Sequence, residues 1–227
     1  MCSRYSLTSP PEAVRSYFRH QTEHDFPPRY NIAPTQPVGI VRVEPDGSRG
    51  FHLVRWGLLP PWVKDPRTFA TLINARAETA HEKPSFRGAL RHKRCLVPAD
   101  AFYEWTGPVG HKRPFLIRPK VGGLMAFAAL SESWLGADGS EIDTMAILTV
   151  AANTTVSAIH DRMPAILGPS QFDAWLDCRT VDMKPASAML VPAADDLLEL
   201  VEVSSRLNSV RNEGADLQQP APSATLL

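Results

Sequence analysis

Cysteine is scarce in this chain: three residues in 227, at Cys2, Cys95 and Cys178. An odd number at such wide spacing excludes a disulfide framework and points to a reducing compartment. None of the Cys or Cys/His spacings of a zinc finger occurs, and neither a metal nor another cofactor is expected. Long apolar runs are also missing. No stretch approaches the roughly 18 apolar residues of a membrane span, and the N-terminus lacks the basic-then-apolar run of a secretory signal. A soluble cytoplasmic protein without membrane association is therefore expected. Net charge is absent too, with 24 Lys+Arg against 24 Asp+Glu.

That balance hides an asymmetry. Residues 1–120 carry 19 Lys+Arg and 10 Asp+Glu, a net +9, whereas residues 121–227 carry 5 and 14, a net −9. Such a split is compatible with a basic face for a polyanion, or with a mixed solvated surface once the halves intermix in space.

With 44% hydrophobic and 21% charged residues, the chain is ordinary globular material, long enough to bury a substantial core. Residues 10–19 read as a helix opened by Ser9 and prolines, with Val14, Tyr17 and Phe18 on one face. Short segments rich in β-branched or aromatic residues, punctuated by Pro and Gly, predict strands at 37–44, 51–57, 71–78, 94–97, 101–106 and 113–118. Two more are expected at 124–130 and 145–151, with Ala137-Asp138-Gly139 turning between them. Helical patterns are placed at 84–91, 170–177 and 193–200. Strands in runs with interspersed helices indicate an α+β fold. The expected form is a single domain on twisted, mainly antiparallel sheets with a barrel-like core and peripheral helices. Residues from Gln218 onward offer nothing to bury and are expected to be disordered.

Cys2 follows the initiator methionine directly. Trimming of Met1 would place an α-amine and a thiol on one residue. The amine, with a pKa of roughly 7.7–8.0, is about one-seventh unprotonated at pH 7 and can attack an aldehyde. The thiol could then close a five-membered thiazolidine, an intramolecular step of high effective molarity. A lone cysteine at position 2 can equally be an unremarkable residue of a frayed terminus.

Four further strings carry chemistry. In Asn74-Ala75-Arg76-Ala77-Glu78, strand alternation places three polar side chains on one face. Glu104 lies within Phe102-Tyr103-Glu104-Trp105, where aromatic neighbours would raise its pKa by desolvation and suit it to proton transfer. His160 and Arg162 combine an imidazole that titrates near neutrality with a guanidinium suited to phosphate. The run from Val54 to Trp62, with Trp56, offers stacking surface for unpaired bases or core filling, and Trp105 is a second candidate of that kind. Separately, His20-Gln21-Thr22-Glu23-His24 fits the His-x-x-Glu-His pattern of inverted zinc peptidases, although it lies at an expected helix end and has no third ligand.

Taken in order, Cys2, Arg4-Tyr5, Tyr30-Asn31-Ile32-Ala33-Pro34-Thr35, Trp56-Gly57-Leu58-Leu59-Pro60, Asn74 to Glu78, Arg94 to Pro98, Phe102 to Trp105 and His160 to Pro164 resemble the SRAP family of abasic-site sensors. The resemblance spans residues 2–212 and leaves 213–227 as a tail. It implies that Cys2 is the nucleophile that forms a thiazolidine with the ring-opened sugar in single-stranded DNA. Asn74 would hold the sugar, Glu104 would shuttle protons, and His160 would assist Schiff-base chemistry and reversal. Arg4, Arg76 and Arg162 would contact the DNA backbone. It further implies a monomer associated with the nucleoid, whose Met1 is removed by self-processing or by an aminopeptidase. Ser3 replaces a glycine usual in the family, where backbone angles that serine disfavours could matter.

Overall fold

The computed structural model describes residues 2–221. In chain order the elements are β1 (Tyr5–Leu7), α1 (Pro11–Phe18), β2 (Arg29–Ile32), β3 (Pro37–Val43), β4 (Arg49–Trp56), β5 (Asn74–Arg76), α2 (Pro84–His92), β6 (Arg94–Ala99) and β7 (Ala101–Thr106). They continue with β8 (Arg113–Pro119), β9 (Met125–Leu135), β10 (Glu141–Ala151), α3 (Thr154–Ser157), β11 (Arg162–Pro164), β12 (Ile166–Leu167), α4 (Phe172–Leu176), α5 (Met183–Ala188) and β13 (Leu198–Glu202).

Two sheets hold the molecule. One has the order β13-β8-β7-β1-β2 and is antiparallel throughout. In the other, β10-β4-β3-β6-β9 runs back to β10, because β9 and β10 also pair directly from Leu135↔Glu141 to Ala129↔Ile147. A ring closed in this way leaves no free edge among its five strands. Within it, β10 lies parallel to β4, while β5 adds to β10 with Asn74 opposite Ile147 and Arg76 opposite Thr149. This α+β architecture with a ring-like sheet core agrees with the sequence expectation.

Strands β9 and β10 of the ring are buried on both faces over most of their length, with Ala126, Ala128, Ala129, Ile147 and Leu148 all fully buried. Tyr5 meets Trp56 edge to face at 5.3 Å, joining β1 to this core. The Trp56 indole N–H donates to the Ile73 carbonyl at 2.9 Å. Outside the ring, α1 begins on Pro11, whose missing N–H costs nothing at a helix start, and buries Val14 and Phe18. Phe18 stacks on Phe172 of α4.

Two expectations are corrected. Residues 193–200 do not form a helix, because the Asp195 carboxylate accepts from the Thr154 amide and hydroxyl and so fastens α3. The chain then enters β13, where Leu198 is buried and pairs with β8. The segment from 213 to 221 is ordered against the sheet. Leu217 is fully buried with Leu207 and Tyr103, Gln218 donates to Ser6 Oγ and Tyr103 Oη, and Pro220 bridges Val203. An otherwise polar stretch is thus anchored by one apolar side chain, the Gln218 amide, a β-bridge and the Arg206–Asp216 ion pair. Residues 222–227, which belong to the same expected tail, lie outside the described residues.

Candidate active site

Antiparallel pairing of β1 with β7 sets Tyr5 opposite Phe102, and the Tyr103 amide donates to the Arg4 carbonyl at 2.9 Å. This register carries residues 2–4 alongside Glu104. Cys2 is not frayed. Its carbonyl accepts a 2.7 Å hydrogen bond from Asn74 Nδ2, and its Sγ lies 3.7 Å from the Arg4 carbonyl. Strand β5 delivers Asn74, and its pairing with β10 fixes the depth of that amide.

The thiol is fully buried, at 0% exposure. This corrects the reading of Cys2 as part of a frayed, solvated terminus. Burial, and then the negative charge of Glu104, push the Cys2 thiol far above the usual range. Glu104 is itself held above the ordinary carboxylate range by desolvation, with His160 among the groups that oppose the shift. Its Oε2 lies 3.9 Å from His160 Nε2. On the other side of the ring, the Arg162 amide donates to His160 Nδ1 at 2.9 Å. The exposed Asp161 carboxylate stands 3.0 Å from Nδ1.

Cys2, Asn74, Glu104 and His160 thus form one cluster, drawn from the N-terminal strand, β5, β7 and the turn before β11. Asn74 Oδ1 is buried there with no hydrogen-bond partner. An orphaned acceptor of this kind is uncommon in a folded protein and marks a place for a donor group.

The candidate backbone-binding arginines differ in how free they are. Arg76 is exposed, one strand position beyond the buried Ala75. Arg162 is held by a bidentate pair with Glu78 at 2.8 and 2.9 Å and donates to the Thr149 carbonyl. Arg4 donates to Asn31 Oδ1 at 2.6 Å and to the Leu207 carbonyl at 3.1 Å, with its guanidinium 5.4 Å from the Trp105 ring. Asn31, which sequence reasoning gave no role beyond its motif, is buried, and its amide donates to the carbonyls of Ser209 and Asn212. It ties the C-terminal segment to Arg4. A shallow depression of about 390 Å³ lined by Ser3, Arg4, Trp105, Lys112 and Asn208 opens beside it.

Trp56 is corrected from a DNA-stacking residue to a core residue: it is fully buried. The exposed aromatic of the same stretch is Trp62, 56% exposed and set edge to face against Phe69. The zinc-peptidase geometry is also absent. Helix α1 ends at Phe18, so His20, Glu23 and His24 lie in irregular chain and not four residues apart on one helix face. Among the described residues no group of three or more His, Cys, Asp or Glu is placed to hold a metal ion. Ser3 has no positive φ, the only such non-glycine residues being Arg19 and Thr35 among those described. Serine therefore bears no left-handed backbone strain at that position.

A family model described as SOS response associated peptidase (SRAP) matches residues 1–210. The chain belongs to the SRAP family. Among SRAP relatives, the abasic site processing protein YoqW of Bacillus subtilis is 40% identical over 222 residues, covering 96% of this chain and 98% of that protein. The abasic site processing protein YedK of Escherichia coli is 32% identical, covering 97% of this chain and 100% of that protein. A crystal structure of a protein from Bacteroides thetaiotaomicron has the same fold, with a TM-score of 0.85 at 24% identity, covering 97% of this chain and all of that one.

Proposed function

We propose that this SRAP protein caps abasic sites in single-stranded DNA through a covalent bond to Cys2. The observation that carries the reading is the Asn74 amide clamped on the Cys2 carbonyl at 2.7 Å, with Glu104 and His160 in the same cluster. Names of the relatives, abasic site processing proteins in each case, point to the same lesion.

Removal of Met1 frees the Cys2 amine. In its neutral form it attacks the open-chain aldehyde of the lesion, giving a carbinolamine that loses water to an imine. The thiol then adds to the imine carbon. A C–S bond forms, the electron pair of the C=N bond moves to nitrogen, and the thiol proton is transferred there. The balance is amine plus thiol plus aldehyde giving thiazolidine plus one water. Glu104, with a proton affinity raised by burial, is suited to take the proton from the amine and return it to the departing hydroxyl. His160 Nε2, facing Glu104, serves ring opening in the reverse direction. The orphaned Asn74 Oδ1 is available to a sugar hydroxyl. Arg4 and Arg76, together with Arg162 once it exchanges Glu78 for phosphate, would grip the backbone without regard to sequence.

Purified protein incubated with an abasic oligonucleotide is expected to give a denaturation-resistant adduct, and Cys2→Ala none. An adduct formed equally by Cys2→Ala would refute the assignment. The buried thiol favours a second reading, in which untrimmed chains bind single strands without reacting. Intact mass separates the two, since only chains that begin at Cys2 should crosslink.

A further inference from the structure

Three of the 19 Lys and Arg residues in the first half of the chain run along one exposed face of α2. Lys83 at the N-cap, Arg87 and Arg91 recur at every fourth residue and are all exposed. Their spacing makes a stripe rising ~6 Å per residue pair. Among the described residues, none of the three is joined to a carboxylate, and no acidic residue occupies the first turn. The nearby carboxylates are engaged: Glu78 with Arg162, and Glu82 with His81 at 3.5 Å. Like charges four residues apart weaken a helix, and a cation at its N-terminus faces the positive end of the dipole. An anion laid along the stripe relieves both.

The stripe begins beside the candidate active site. Successive i to i+4 bonds from Ala80 to Arg76, from Lys83 to Thr79 and from Arg87 to Lys83 carry the chain from the exposed Arg76 straight into α2. On its inner face Ala89 and Leu90 are buried, so the basic side is fixed outward. At the far end His92 and Lys93 line a cavity of about 830 Å³ that also takes in Arg42 and Arg179. Several carboxylates on or near that rim are occupied, Asp173 with Arg49, Glu44 with His52 and Glu132 with Lys93. The Arg179 guanidinium donates to the Pro45 carbonyl while its amide donates to Asp177 Oδ1, and Arg42 stands 3.9 Å from Asp143.

We infer that α2 is a track for the sugar–phosphate backbone of the single strand beyond the lesion, leading from Arg76 along Lys83, Arg87 and Arg91 to the cavity at the end of the helix. This rests on the proposed binding of single-stranded DNA and extends the contact beyond the reacting nucleotide. Each cation contacts backbone, so the track is indifferent to base sequence.

The test compares wild type with Arg87→Gln/Arg91→Gln, which keeps good helix formers at exposed positions. Binding to undamaged oligo(dT) of about 5 and about 16 nucleotides, within the lengths single-strand sites span, is followed by anisotropy across a salt series. For the longer strand, loss of two phosphate contacts should flatten the log Kobs against log[salt] slope by about 1.4, at roughly 0.7 per contact, weakening binding about 25-fold at 0.1 M relative to 1 M salt. The short strand should bind both proteins alike, and crosslinking of a short abasic strand should be unchanged. Equal slopes and affinities on the longer strand would overturn the track. Failure of wild type to crosslink would instead remove the covalent reading, leaving the undamaged-strand comparison to decide the track.

Discussion

Glu104 is a carboxyl kept where a carboxylate is disfavoured. Its folded pKa is raised above the unfolded value of roughly 4.3, so between the two the native state binds the extra proton. The contribution to stability is present at low pH and is lost as pH rises through the folded value. Glu104→Gln, neutral at every pH, should match the wild-type Tm near pH 4 and exceed it increasingly as pH rises, while crosslinking slows by about 10²–10⁴-fold. A wild type more stable than the variant at pH 8 would mean that pairing with His160 outweighs burial. The aromatic flanks of Glu104 made this desolvation legible in the sequence, and strand alternation correctly turned Asn74 away from Ala75. Trp56 was not legible. A tryptophan before glycine suits a core or a binding face equally, and the partner that decides, the Ile73 carbonyl, lies seventeen residues along the chain.

At the scale of elements, the C-terminal segment acts as a strap. Between Leu207, whose carbonyl takes a hydrogen bond from Arg4, and Gln218, which bonds Ser6 and Tyr103, it lies against β1, which follows Cys2, and β7, which bears Glu104. Leu217→Ala should cost about 2–5 kcal/mol by urea unfolding. It should also lower the initial crosslinking rate more than the affinity for undamaged single strands, since Arg4 and β1 lose their backing. Unchanged crosslinking at full folding would show that the strap serves stability alone. Its polar composition concealed the leucine and amide that help to anchor it. Residues 193–200 misled for a related reason: leucines and acids at mixed spacing suit a helix until β8 offers an edge and Asp195 is taken by α3.

For the molecule as a whole, the barrel-like core was expected from the sequence, but the strand order that closes it was not. Individual strands were visible as apolar runs, but the parallel pairing of β10 with β4 and β5 joins segments some seventy to ninety residues apart and leaves no local mark. Amides of 126–130 and 146–150, inside the ring, should exchange with solvent only on global unfolding, and those of the six-residue α5 by local opening. Comparable rates in both would argue against the ring as the cooperative unit. The order of the chain also sets a timetable for Cys2. Asn74 and Glu104, which fold around it, are synthesised some seventy to a hundred residues later, an interval of roughly 4–20 s at about 5–20 residues per second. During that interval the nascent terminus is open to an aminopeptidase. Once β5 and β7 have docked, the Cys2 side chain is sealed inside, so the proposed chemistry would favour chains trimmed before that closure.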